Sequence, residues 1–175
     1  RVRPGGRAGT GASYPANPAM SDTYLKKVSF LVVEDAAFMR TLIRRVLSAL
    51  DVGEVRDANN GEDALQVLEN YDPDIIIADW EMQPMDGLEF VKRVRGGDDE
   101  SLSMLPIIML SGHSEASRVA TARDAGVNEF VVKPFSVNSL FSRIEEVIEW
   151  PRRFVKTDDF FGPDRRPHRD DHFGG

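Results

Sequence analysis

The chain has 175 residues, room for one core of ordinary domain size but not for a second of about 50 residues or more beside it. Its 22 Lys and Arg against 29 Asp and Glu give a net charge of -7, which argues against broad nucleic-acid affinity. Cysteine is absent, which excludes disulfides, and no apolar run approaches the ~18 residues of a membrane span.

Residues 1–26 are rich in Gly, Ala and Pro and are expected to form a disordered extension. They hold no hydrophobic core of a signal peptide, and Met20 is a candidate start. A first strand is expected over 28–33, closed by Glu34-Asp35. Met39, Leu42, Ile43, Val46, Leu47 and Leu50 then recur at helical spacing and leave Arg40, Arg44 and Arg45 for solvent. A short second strand follows over 55–58, with a helix over 61–70 behind Asn60. Ile75-Ile76-Ile77-Ala78 is the third strand, closed by Asp79. Asp86 and Glu89 have capping-box spacing and open a helix over Leu88, Val91 and Val94 that Gly96-Gly97 stops. The fourth strand is expected over 106–110, and its helix over 115–125 behind Ser114, with Gly126 as a left-handed terminator. Phe130-Val131-Val132, closed by Lys133-Pro134, is the fifth strand. A fifth helix follows Ser136, carries Leu140, Ile144, Val147 and Ile148, and ends before Pro151. Residues 151–175 mix charges with spaced aromatics and show no period, so a flexible tail is expected.

Short apolar runs without alternation suit strands covered on both faces. Five strand-helix units over 27–150 therefore imply a single doubly wound α/β domain with a five-stranded parallel sheet in the order 2-1-3-4-5. In such a sheet ligands bind at the carboxyl ends of the strands, where the singled-out polar residues fall. Strands one and three are then neighbours, and Glu34, Asp35 and Asp79 converge. Like charges ~4 Å apart at an effective dielectric near 20 cost about 4 kcal/mol per pair, so a cation is required. Mg²⁺ matches a few carboxylates with water and a backbone carbonyl. Lys133 is suited to hold a phosphoryl oxygen, and Ser111 offers a hydroxyl donor to another. Taken singly, Asp35, Asp79 or Ser111 would as readily be a cap or turn residue; the constellation carries the functional reading.

Four stretches in order, Leu31-Val32-Val33-Glu34-Asp35, Ile77-Ala78-Asp79-Trp80-Glu81-Met82 with Met85-Asp86-Gly87, Met109-Leu110-Ser111-Gly112, and Phe130-Val131-Val132-Lys133-Pro134-Phe135, resemble the CheY-like receiver domain of two-component response regulators. The resemblance covers roughly 27–149 and implies the flavodoxin-like, CheY-like fold. It implies Asp79 as phosphoacceptor and Glu34, Asp35, Asp79 and the Glu81 backbone carbonyl as ligands of Mg²⁺. It further implies Ser111 as switch hydroxyl, Phe130 as switch aromatic, and Lys133 as phosphate contact before a cis proline bond. Three features depart from the family pattern. Met82-Gln83-Pro84 moves the turn proline by one, Phe130 lacks a tyrosine hydroxyl, and Glu81 and His113 occupy positions where the family tunes phosphoryl lifetime.

By resemblance the chain is expected to be a single-domain response regulator without a DNA-binding output domain. A histidine kinase or phosphotransfer protein would donate a phosphoryl group to Asp79. The chain would promote its own phosphorylation and dephosphorylation rather than act as an enzyme. Its downstream partner would be a protein bound through the fourth helix, fifth strand and fifth helix, with neither nucleic acid nor a membrane span involved and a cytoplasmic location expected. The alternatives are a phosphorylation-independent scaffold of the same fold and a Mg²⁺-dependent aspartyl-nucleophile phosphatase using Glu81 as general acid.

Overall fold

The structure, a computed structural model, describes residues 24–166; expectations for 1–23 and 167–175 lie outside the described residues. The strands are β1 (Phe30–Val33), β2 (Val55–Ala58), β3 (Ile75–Asp79), β4 (Ile107–Ser111) and β5 (Glu129–Val132). The helices between them are α1 (Ala37–Ala49), α2 (Gly61–Leu68), α3 (Gly87–Arg95), α4 (Ala116–Ala125) and α5 (Val137–Glu149). The strands form one parallel sheet in the order β2-β1-β3-β4-β5, as the sequence pattern implies.

The side-chain alternation of each strand divides the core into two layers. Leu31, Val33, Ile76, Ala78, Ile107 and Met109 pack beneath Leu68, Phe90, Val91 and Ala122, on the side of α2, α3 and α4. Phe30, Val32, Ile75, Ile77, Ile108 and Leu110 face Ile43, Leu47, Leu140 and Ile144 of α1 and α5. Both faces are therefore dry, which is why the strand sequences do not alternate.

Local signals set most helix ends. Asn60 accepts from the Asp63 N–H at 2.9 Å, and Gly126 ends α4 with φ of 102°. The capping box expected at Asp86 and Glu89 forms only in half. Asp86 accepts from the Glu89 N–H at 2.8 Å, but the Glu89 carboxylate turns to Arg93 at 3.1 Å, its partner one helical turn on. The reciprocal box is instead at Ser136 and Ser139, which opens α5. Ser114 does not cap α4; Glu115 occupies that position and its side chain makes no capping bond. Asp99 caps a single helical turn, Glu100–Ser103, that the sequence pattern did not announce.

The ordered body begins earlier and extends further than the sequence implies. Leu25 is buried and belongs to the core, not to an extension ending at residue 26. Beyond α5, within the tail expected to be unstructured, β6 (Phe154–Lys156) and β7 (Phe161–Pro163) pair antiparallel as a hairpin. Three-residue strands carry too few positions to show a period of two, and the stabilising contacts lie outside the segment. The Phe154 and Phe161 rings are 5.5 Å apart, and the Arg95 guanidinium lies 4.8 Å from the Phe154 ring centroid. Arg165 donates to the Val127 and Asn128 carbonyls. A Cβ on Gly162 would stand 2.8 Å from the Gly126 Cα, so two glycines let the hairpin meet the chain just past α4. Arg95 is itself buried, donating to the carbonyls of Gly126, Ser103 and Leu105 and to the Asn128 side chain. It joins the end of α3 to the starts of β4 and β5.

Candidate functional site

Register brings the site together. Val33 lies opposite Ala78, Ala78 opposite Met109, and Ser111 opposite Val132, so the residues ending β1, β3, β4 and β5 reach one edge of the sheet. Glu34, Asp35 and Asp79 converge there, with one carboxylate oxygen of each within 4.8 Å of the others. Glu34 and Asp79 are 1% and 3% exposed, whereas Asp35 faces solvent. Arg40 does not face solvent as its helical position implied. Its guanidinium bonds the Glu34 carbonyl at 2.9 Å and pairs with Asp57 at 3.4 Å, fixing the backbone that carries the acid pair.

Lys133 Nζ donates to Asp79 Oδ2 at 2.8 Å and stands 3.6 Å from Glu34 Oε2. The Lys133-Pro134 bond is cis, as the resemblance implied, and Gln83-Pro84 is cis as well. The Lys133 N–H also bonds the Ser111 carbonyl at 2.8 Å, which sets the lysine at the sheet edge. Burial opposes the Lys133 charge, but the bond to Asp79 and the nearby carboxylates outweigh it and raise its pKa. Burial, followed by hydrogen bonding and charge from Asp79, pushes Glu34 up to about 8 against the opposing pull of the Ala36 N–H and Lys133. Glu34 Oε2 is buried and no donor reaches it within hydrogen-bond distance. A buried acceptor left bare beside a second buried carboxylate is the arrangement a hard cation would complete.

The third strand ends against a glycine. A Cβ on Gly87 would lie 2.2 Å from the Asp79 carbonyl oxygen, and the Gly87 N–H bonds the Trp80 carbonyl at 2.8 Å. The start of α3 is thus packed on the backbone of Asp79, a positioning role beyond the turn its sequence suggests.

Ser111 is in place but engaged. Its hydroxyl donates to Glu81 Oε1 at 2.7 Å and accepts from the His113 N–H at 3.1 Å. The same Glu81 oxygen accepts from Arg118 of α4 at 2.8 Å. The Arg118 guanidinium lies 3.9 Å from the Trp80 ring centroid, and the Phe130 ring meets Trp80 edge-on at 6.4 Å. Trp80 is therefore buried beneath these groups. Asp35, Trp80, Glu81, Met82, Gln83, Asp86 and Arg118 line a cleft of about 360 Å³ beside the acid cluster. Burial acts to raise the Glu81 pKa, but bonds from Ser111 first, then Asp79, its own N–H and Arg118, prevail and lower it. The Glu81 carboxylate is thereby favoured in its charged form. Arg118 and Arg40 are the participants that the sequence pattern did not reveal, whereas the Glu81 side chain, singled out through the resemblance, is engaged by Ser111 and Arg118.

Comparison with known proteins agrees with this geometry. The family model for the response regulator receiver domain matches residues 30–145. Chemotaxis protein CheY-3 of Vibrio cholerae is 32% identical over 124 residues, which cover 71% of this chain and 94% of that protein. Chemotaxis protein CheY1 of Helicobacter pylori is 38% identical over 122 residues, covering 69% and 97% respectively. Among solved structures, a putative response regulator from Chloroflexus aurantiacus superposes with a TM-score of 0.64 at 32% identity, covering 71% of this chain and 99% of that one. The matched stretch contains all five strands of the sheet and every residue of the acid cluster, and the chain belongs to the response regulator receiver domain family.

Proposed function

We propose that this chain accepts a phosphoryl group on Asp79 from a histidine kinase or phosphotransfer protein and thereby changes its affinity for a protein partner. The observation carrying this is the pairing of a buried Asp79 with Lys133 at 2.8 Å inside a cluster of three converging carboxylates. Glu34, Asp35, Asp79 and the Glu81 carbonyl are the groups that would hold Mg²⁺, and the bare Glu34 oxygen fits that role. When bound, Mg²⁺ supplies positive charge that offsets the acid cluster and the incoming phosphoryl oxygens. An Asp79 oxygen attacks the donor phosphorus, the phosphorus–nitrogen bond of the donor histidine breaks, and the imidazole departs with a proton from solvent. Lys133 exchanges part of its contact with Asp79 for a phosphoryl oxygen. Asp79, which already carries one negative charge, becomes an acyl phosphate carrying about two, and the charge now on the phosphoryl oxygens draws the Ser111 hydroxyl inward. The face of α4, β5 and α5 then presents an altered surface to its partner.

Among the described residues no helix is long and apolar enough to cross a membrane. Incubation with acetyl phosphate and Mg²⁺ tests the proposal. One acid-labile phosphoryl group is expected on the parent and none on Asp79→Asn; label retained by the variant would assign the acceptor elsewhere, and no label on the parent would favour a phosphorylation-independent scaffold.

A further inference from the structure

The Ser111 hydroxyl carries one proton and can donate it to one acceptor at a time. In this structure it donates to Glu81 Oε1, not to Asp79 or to the space where a phosphoryl group on Asp79 would sit. The Glu81 carboxylate is held in that place from the other side by Arg118, whose contact at 2.8 Å falls on the same oxygen. Arg118 is itself fixed, stacked on Trp80 with its Nε buried and unpartnered. It lies in the first turn of α4, a helix whose sole buried residue is Ala122. A helix with so little apolar anchorage takes much of its placement from polar contacts at its ends.

We infer that Arg118 is a positioning residue which, through Glu81, holds the Ser111 hydroxyl away from Asp79 and ties α4 to the acceptor site. The inference rests on Asp79 being the phosphoacceptor. When a phosphoryl group arrives, Ser111 gives up Glu81 to donate to a phosphoryl oxygen. Glu81 is left charged beside a new dianion, with Arg118 as its remaining side-chain donor. Repulsion then displaces the Glu81–Arg118 pair, and α4 loses its grip at that end. The aromatic contact beneath moves with it, because the Trp80 ring that Arg118 covers also meets the Phe130 ring edge-on.

The test is amide hydrogen exchange over 116–125 in the full chain with Mg²⁺, with and without beryllofluoride, alongside Trp80-sensitive emission and acetyl phosphate labelling. In the parent, beryllofluoride is expected to raise exchange in α4 by about threefold or more. Arg118→Ala should show raised exchange already without beryllofluoride and little further response. Arg118→Lys, which retains a cation within reach of Glu81, should restore much of the parent behaviour. Ser111→Ala combined with Arg118→Ala should add nothing to Arg118→Ala alone, since both act through one carboxylate. Arg118→Ala indistinguishable from the parent in both states, or additive effects in the double variant, would overturn the inference while a labelled Asp79 left the acceptor reading intact. A parent chain that takes no label would overturn both.

Discussion

Burial and Asp79 push the Glu34 carboxyl up to about 8, so the metal-free folded chain keeps a proton there that the unfolded chain, at 4.5, has already released. Since the folded state binds more protons between those values, the Glu34 contribution to stability is fully present below pH 4.5 and is lost as pH rises toward 8. Mg²⁺ competes for the same oxygens and should bind more tightly as pH rises through that window, releasing up to one proton. Magnesium titration at fixed ionic strength from about pH 6 to pH 8 measures this. Glu34→Gln should flatten the profile, and a flat profile in the parent would contradict the placement of Glu34 in the metal site. At Gly87 the steric margin makes a second prediction. A methyl 2.2 Å from the Asp79 carbonyl must displace backbone, so Gly87→Ala should cost about 1–3 kcal/mol and slow Asp79 labelling. Gly112→Ala, with nothing within 4 Å, should change melting temperature and labelling little. Glu34, Asp35, Asp79 and Lys133 were legible in the sequence because each closes an apolar strand. Arg40 and Arg118 were not, because a charged residue on a helix reads as solvent-facing until its partner, 37 residues away for Arg118 and Glu81, is known.

The five strands and five helices follow from sequence because their signals are local: apolar runs, helical spacing, and the caps at Asn60, Asp86 and Ser136. Where the signal is weak, the element depends on contacts from afar. The hairpin is such a case, since neither three-residue strand would persist without the domain beneath it. Phe154 is its central anchor, packing on Phe161 within β7 and under Arg95 of α3. An aromatic pair is worth about 0.5–1.5 kcal/mol beyond burial, and a partly desolvated cation over a ring about 1–2 kcal/mol. Phe154→Ala should therefore cost on the order of 2 kcal/mol and raise amide exchange in β6 and β7 well before the sheet responds. Chemical denaturation with exchange mass spectrometry measures both. Loss of stability without selective opening of the hairpin would show that Phe154 supports the domain in some other way.

The hairpin and the acid cluster belong to opposite ends of the parallel sheet. Val127 and Asn128, which receive Arg165, precede β5, whereas Lys133 follows it. Strands of 4 or 5 residues rising about 3.3 Å each separate the two regions by roughly 13–17 Å. Two helices run between them: α3, from Gly87 against Asp79 to Arg95 over Phe154, and α4, with Arg118 in its first turn near Glu81 and Gly126 beyond its last turn against Gly162. Stability at the base and chemistry at the carboxyl edge should consequently separate. Truncation after Trp150 removes the aromatic pair, the cation over Phe154 and the Arg165 bonds. It is expected to cost on the order of 2 kcal/mol and to lower the melting temperature by about 4–8 °C. Asp79 labelling with acetyl phosphate should stay within about twofold of the parent, because no residue of the acid cluster touches the hairpin and a twofold rate change is less than 1 kcal/mol. Amide exchange should rise from the Gly126 end of α4, where the hairpin is docked, while the Arg118 end remains held by Glu81 and Trp80. An unchanged melting temperature would show that the hairpin contributes nothing to the fold, and a collapse of labelling at intact stability would show that α3 or α4 carries the effect of the hairpin along its length to Asp79.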